Sequence, residues 1–204
     1  NSFLAALRPA VDSLLKFIEE NALMVIGMEH TIDTVFPVIG AFTGSIDLLL
    51  ADADGNLVIV DMKWNEGKTY NRRLEKGNTL QLALYRKAME TDGHKVVCEG
   101  YFVLPQRKFL TSADYLQPSD IVEIIEGEQF GDHFELACNS YEYRMEQIEQ
   151  GIIEEAEGFS LADIQYHKDA NTRRLYPLER AYEDDTTKSS PYGTPNLILK
   201  GGLA

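Results

Sequence analysis

Apolar residues recur at helical spacing at the start of the chain: Leu4, Leu7, Val11, Leu14, Leu15 and Ile18 fall on one stripe. They predict an amphipathic helix from Ser2 to Asn21, which Pro9 interrupts. The spacing then changes. Leu23 to Thr31 reads as a strand with Glu29 near its end, Phe36 to Gly40 as a connection, and Ala41 to Ala51 as a second strand. Asp52-Ala53-Asp54-Gly55-Asn56 separates two apolar runs, and an Asp-Gly pair in that place marks a hairpin turn. Leu57 to Lys63 is the third strand. Its nearly unbroken Leu-Val-Ile-Val run suits a central strand covered on both faces.

Polar residues from Asn65 to Lys76 read as a loop, and Asn78 to Thr91 as a helix. Val96 to Leu104 is a fourth strand that Pro105 ends. Pro118-Ser119-Asp120 has the look of a helix start, with Ser119 or Asp120 as N-cap. Asp132 to Glu157 reads as a long acidic helix, on which Tyr141, Tyr143, Met145, Ile148 and Ile152 suggest a packing face. The pattern fades from Phe159, and Asp184 to Pro195, rich in Asp, Thr, Ser, Pro and Gly, reads as mobile. The order is helix, three strands, helix, strand, then helices. It predicts an α/β domain with a mixed sheet over residues 1–158 and a partly irregular extension over 159–204.

With 204 residues, 44% of them apolar, the chain has material for one sizeable core. No run is long and apolar enough for a membrane span, and the N-terminus lacks the basic and hydrophobic regions of a signal peptide. The chain opens without an initiator methionine, as a fragment or a processed chain does. Cys98 and Cys138 stand far apart and form no CxxC pair, so neither a disulfide framework nor a zinc ribbon is indicated, and a cytoplasmic setting is expected. A net charge of −14 argues against nucleic-acid binding over the whole surface, though it leaves room for a local site. Lys68, Arg72, Arg73 and Lys76 do form a cationic cluster, which a solvated loop also explains.

Two apolar strands spend charges in their interiors. Asp47 interrupts the second, and the third ends Asp61-Met62-Lys63. An unpaired buried charge is costly, so this placement asks for a partner. Asp47 and Asp61 each lie seven residues from Asp54 in the turn, so a hairpin sets them side by side. Asp61 and Lys63, two apart, share a face. Two neighbouring carboxylates repel, and a divalent cation bound by hard oxygen donors, Mg²⁺ or Mn²⁺, relieves that repulsion. A simpler alternative is an Asp47–Lys63 pair with a purely structural role. Asp52, Asp54 and Asn56 also resemble the start of a calcium loop, but Gly55 and Lys63 stand where that loop needs other residues, and a hairpin turn explains them better.

Gly44-Ser45-Ile46-Asp47, Asp61-Met62-Lys63 and Gln81-Leu82-Ala83-Leu84-Tyr85 occur in that order on strand, strand and helix. Together they resemble the PD-(D/E)XK nuclease superfamily, and within it the RecB-like exonuclease branch. The resemblance covers about Leu23 to Leu104, and with the leading helix it implies the restriction-endonuclease-like αβββαβ core. It also implies an Mg²⁺- or Mn²⁺-dependent deoxyribonuclease acting as an exonuclease in DNA repair, recombination or phage-related DNA processing. Asp47 and Asp61 would hold the metal with the backbone carbonyl of Met62, and Lys63 would position or activate the attacking water. Gln81 and Tyr85 would contact substrate phosphate or brace the site. Glu29 matches an acidic residue often present on the preceding strand, and stands evenly between a metal ligand and a solvent-facing residue. The implied partner is DNA, as a single strand or a duplex end, with a helicase or similar protein to supply grip that an acidic chain lacks. The alternative is a catalytically silent module of this type that binds nucleic acid or a protein.

Overall fold

The computed structural model describes residues 2–64, 67–77, 79–127 and 133–151. The elements are α1 (Ser2–Glu20), β1 (Met24–Phe36), β2 (Gly40–Ala51), β3 (Leu57–Lys63), α2 (Lys68–Glu75), α3 (Leu80–Thr91), β4 (Val96–Val103), β5 (Lys108–Thr111), β6 (Val122–Ile124) and α4 (His133–Glu149). The strands form one six-stranded sheet in sequence order. The pairs β1–β2, β2–β3 and β4–β5 are antiparallel, whereas β3–β4 and β5–β6 are parallel. The parallel step after β3 needs a crossover, which α2 and α3 provide. The α/β fold with a mixed sheet is therefore as the sequence predicts. The chain divides into two compact units, Asn1–Phe134 and Glu135–Ala204, and the whole sheet belongs to the first.

Strand alternation sorts the core into two layers. On one face Leu48, Leu50, Val58, Val60, Cys98, Phe102 and Phe109 cluster with Phe17 of α1. The Phe17 ring lies 4.8 Å from that of Phe109. On the other face Tyr101, Val103 and Leu110 cluster with Tyr70 and Leu74 of α2 and Leu82 of α3. Thus β3 is covered on both sides, as its apolar run requires. Gly100 of β4 marks a close approach: a Cβ there would lie 2.3 Å from the carbonyl oxygen of Leu110.

Several local expectations need correction. Pro9 does not end α1: it stands eighth in the helix, past the first four residues whose N–H groups lack a partner, so it removes one internal hydrogen bond, and the apolar face that continues past it holds the helix together. β1 runs on to Phe36, and the tight turn into β2 ends at Gly40 with φ +88°. Part of the expected loop is the helix α2: only Tyr70 and Leu74 are buried, but they stand four apart, so one turn of helix brings both to the core. Ser119 does not cap a helix. Its Oγ accepts from the backbone N–H of Ile121 and of Val122 and shapes a turn into β6, which uses the same chemistry as an N-cap. β5 and β6, of four and three residues, are too short for a period to show.

On α4, Phe134, Leu136, Ala137 and Cys138 are buried, whereas Tyr141, Met145 and Ile148 of the expected packing face are exposed. Asp132, residues 152–157 of the expected helix, and the extension 159–204 lie outside the described residues.

Candidate active site

The β2–β3 ladder pairs Leu48 with Val60 and then stops. The next step along the same register sets Asp47 opposite Asp61. Leu48 and Val60 point into the α1 layer, so Asp47 and Asp61 stand on the opposite face, beside α2 and α3. Just past the last rung, Asp47 Oδ2 accepts the Met62 N–H at 2.6 Å, and the side chain takes over where backbone pairing ends. A strand residue's N–H and C=O leave by the same edge, so the Met62 carbonyl also faces the Asp47 side.

Asp61 is 1% exposed. The Lys63 ammonium forms an ion pair with its Oδ2, yet no donor is aligned with that oxygen as a hydrogen bond. Burial pushes the Asp61 carboxyl above its ordinary range. Lys63 opposes this through contact and charge, the charge of Asp47 adds to the rise, and the charge of Arg73 opposes it least. Lys63 thus offsets part of the cost of burying this carboxylate, and the raised pKa shows that burial still outweighs it.

Lys63 also donates to Gln81 Oε1 at 3.4 Å, and Gln81 Nε2 donates to the Tyr85 hydroxyl at 2.9 Å. Gln81 and Tyr85 meet because they are one turn apart on α3. Lys63 Nζ lies 5.9 Å from the centre of the Tyr101 ring. Gly44 completes the arrangement. A Cβ there would sit 3.2 Å from a ring carbon of Tyr85 and 3.1 Å from one of Phe42, so any side chain would press on Tyr85. The structure therefore brings Asp47, Asp61, Lys63, Gln81 and Tyr85 to one side of the sheet as a connected set.

Glu29 stands differently. In the β1–β2 register it falls between the pairs Met28–Leu48 and His30–Ile46, hence opposite Asp47, but its backbone is left-handed (φ +49°) and its side chain is exposed. Its Oε2 accepts from Ser45 Oγ at 3.2 Å. Among the described residues no three or more His, Cys, Asp or Glu side chains converge as a metal cluster. Glu29 is therefore a neighbour of the Asp47–Asp61 pair without closing a three-acid set. Asp52 is engaged otherwise: it accepts from the N–H groups of Asp54 and Asn56, from the Asn56 amide and from the Tyr115 hydroxyl. That is hairpin chemistry, and the calcium-loop alternative falls away.

The donor set fits a hard divalent cation. Two carboxylates share a face, and a carbonyl points to the same edge. A family model of the PD-(D/E)XK nuclease superfamily matches residues 2–171. The chain belongs to this superfamily. No curated protein gives a significant match to the chain. Nucleases of the PD-(D/E)XK superfamily are hydrolases of nucleic acid and generally use divalent metal ions, commonly Mg²⁺. The six-stranded mixed sheet with its flanking helices is consistent with the superfamily's core.

The sequence did not point to Tyr101 and Tyr70 as parts of the surroundings of Lys63. Tyr101 read there as an ordinary strand position and Tyr70 as part of a polar loop; the sheet register, with Asp61 paired to Tyr101, brings the first beside the site, and the packing of α2 sets Tyr70 against it.

Proposed function

We propose that this chain is an Mg²⁺- or Mn²⁺-dependent deoxyribonuclease that degrades DNA from an end, in the manner of the RecB-like exonucleases, during repair, recombination or phage-related DNA processing. The observation that carries the reading is the shared face of Asp47, Asp61 and Lys63 at the point where the β2–β3 ladder opens. Asp47, Asp61 and the Met62 carbonyl would hold the ion, with Glu29 placed to assist through a change of side-chain position. Such an ion, when bound, lowers the pKa of a water and offsets charge growing on the phosphate. The chain's own groups do the rest. Lys63, kept in place by Asp61 and Gln81, orients the attacking water and neutralises phosphate charge. Tyr85 accepts from Gln81 and so keeps its own proton to donate toward a substrate oxygen.

Linear DNA incubated with Mg²⁺ or Mn²⁺ should be shortened, and EDTA or Asp61→Ala should each abolish this. Hydrolysis that survives both refutes the reading. The net charge of −14 favours a second possibility, a silent module or one that relies on a helicase for DNA grip. Intact metal binding without cleavage would support it.

A further inference from the structure

The helix α2 is the first element after β3, and with Lys76 at its C-cap it presents Lys68, Arg72, Arg73 and Lys76, four of the chain's 19 cations within nine residues. At helical rise they span about 12 Å. Tyr70 and Leu74 bury one side of the helix, and Lys68, Arg72 and Arg73 are exposed on the rest. Helix stability does not account for this arrangement. Arg72 and Arg73 in the last turn suit the helix dipole, but Lys68 in a first turn without any acid opposes it. A row of aromatic contacts ties the helix to the site. The Arg73 guanidinium lies 5.6 Å over the Tyr70 ring, Tyr70 is 5.0 Å from Tyr101, and Lys63 is 5.9 Å from Tyr101. In a chain of net charge −14, this is a local positive surface adjoining the carboxylates.

We infer that α2 is the backbone clamp of the site: Arg73, with Lys68 and Lys76, binds phosphates of the nucleic-acid strand beside the scissile one. This rests on the nuclease reading but extends it to a surface outside the acid–acid–lysine set. An acidic body repels nucleic acid elsewhere, so the clamp also confines the strand to the site. Few phosphates are neutralised, and the salt dependence of binding is correspondingly shallow, about 0.7 to 0.9 in log–log slope for each contact.

The test is fluorescence anisotropy of a labelled 20-nucleotide single strand and of the matching duplex, in EDTA, across a KCl series, with cleavage of the same probes in Mg²⁺ or Mn²⁺ run alongside. Arg73→Gln should lower the slope by about one contact, and Lys68→Gln/Arg73→Gln by about two. Lys16→Gln, on α1 against the other face of the sheet, should match the wild type. Thermal melting shows that each variant folds, and Arg73→Lys should restore most of the slope lost in Arg73→Gln. Wild-type slope and affinity in the folded double variant overturn the inference, as does an absence of binding by the wild type at low salt. Cleavage with unchanged slopes sinks only the clamp, whereas salt-linked binding without cleavage sinks only the catalytic reading.

Discussion

Asp61 shows at the scale of one residue what the site costs. Its carboxylate is buried, an aligned hydrogen bond to Oδ2 is lacking, and its pKa is raised chiefly by burial. The folded chain therefore holds the Asp61 proton more tightly than the unfolded one. The penalty is full at neutral pH and lifts as pH falls through the raised value. Without metal, Asp61→Asn should melt at a temperature equal to or a few degrees above the wild type at pH 7, while losing activity. A clear fall in the melting temperature of the EDTA-treated variant would contradict this. Asp52 has the opposite sign. The Tyr115 hydroxyl, then the Asn56 amide, hold it down from 3.8 to about 2. Its contribution is complete above about pH 4 and is lost as pH falls through about 2. Unfolding followed from pH 5 to pH 2 should show a smaller acid loss for Tyr115→Phe than for the wild type. Equal losses would show that this contact does not set the acid limb. Lys63→Gln, which keeps a side chain of similar reach without the charge, should slow cleavage by roughly a hundredfold to ten-thousandfold. A single-turnover assay at saturating DNA measures it.

At the scale of elements, the sequence was legible wherever one period ran long enough. The stripe of α1 and the apolar run of β3 declare themselves, and the turn at Asp52 to Asn56 fixes the register that sets Asp47 beside Asp61. Shorter or mixed elements did not show. α2 holds only two core residues among eight, and β5 forms on the edge that β4 offers and β6 on the edge that β5 offers, a condition that lies in the sheet and not in their own residues. Ser119 misled because a hydroxyl that caps a helix serves a turn equally well. Gly100 carries a prediction at this scale. Its missing side chain lets β4 meet Leu110, so Gly100→Ala forces backbone apart and should cost about 1–3 kcal/mol. Urea unfolding measures it, and a neutral result would mean that β5 shifts freely.

For the whole molecule, the acidic balance and the local chemistry have to be reconciled. A charge of −14 repels DNA at long range, and a site that binds two or three phosphates must do so at short range. A divalent ion between Asp47 and Asp61 and a cationic α2 beside them meet that requirement together. No helix among the described residues is long and apolar enough to cross a membrane. The candidate site was legible in outline because Gly44-Ser45-Ile46-Asp47, Asp61-Met62-Lys63 and Gln81 to Tyr85 stand in order. The hydrogen bond from Met62 to Asp47 and the Lys63–Gln81–Tyr85 chain depend on how strand and helix meet, which no local pattern encodes. The most direct measurement is calorimetric titration of the metal-free chain with Mn²⁺, comparing wild type with Asp47→Ala and Asp61→Ala. The account predicts saturable binding by the wild type that both substitutions remove, and the same heat in all three proteins would contradict it.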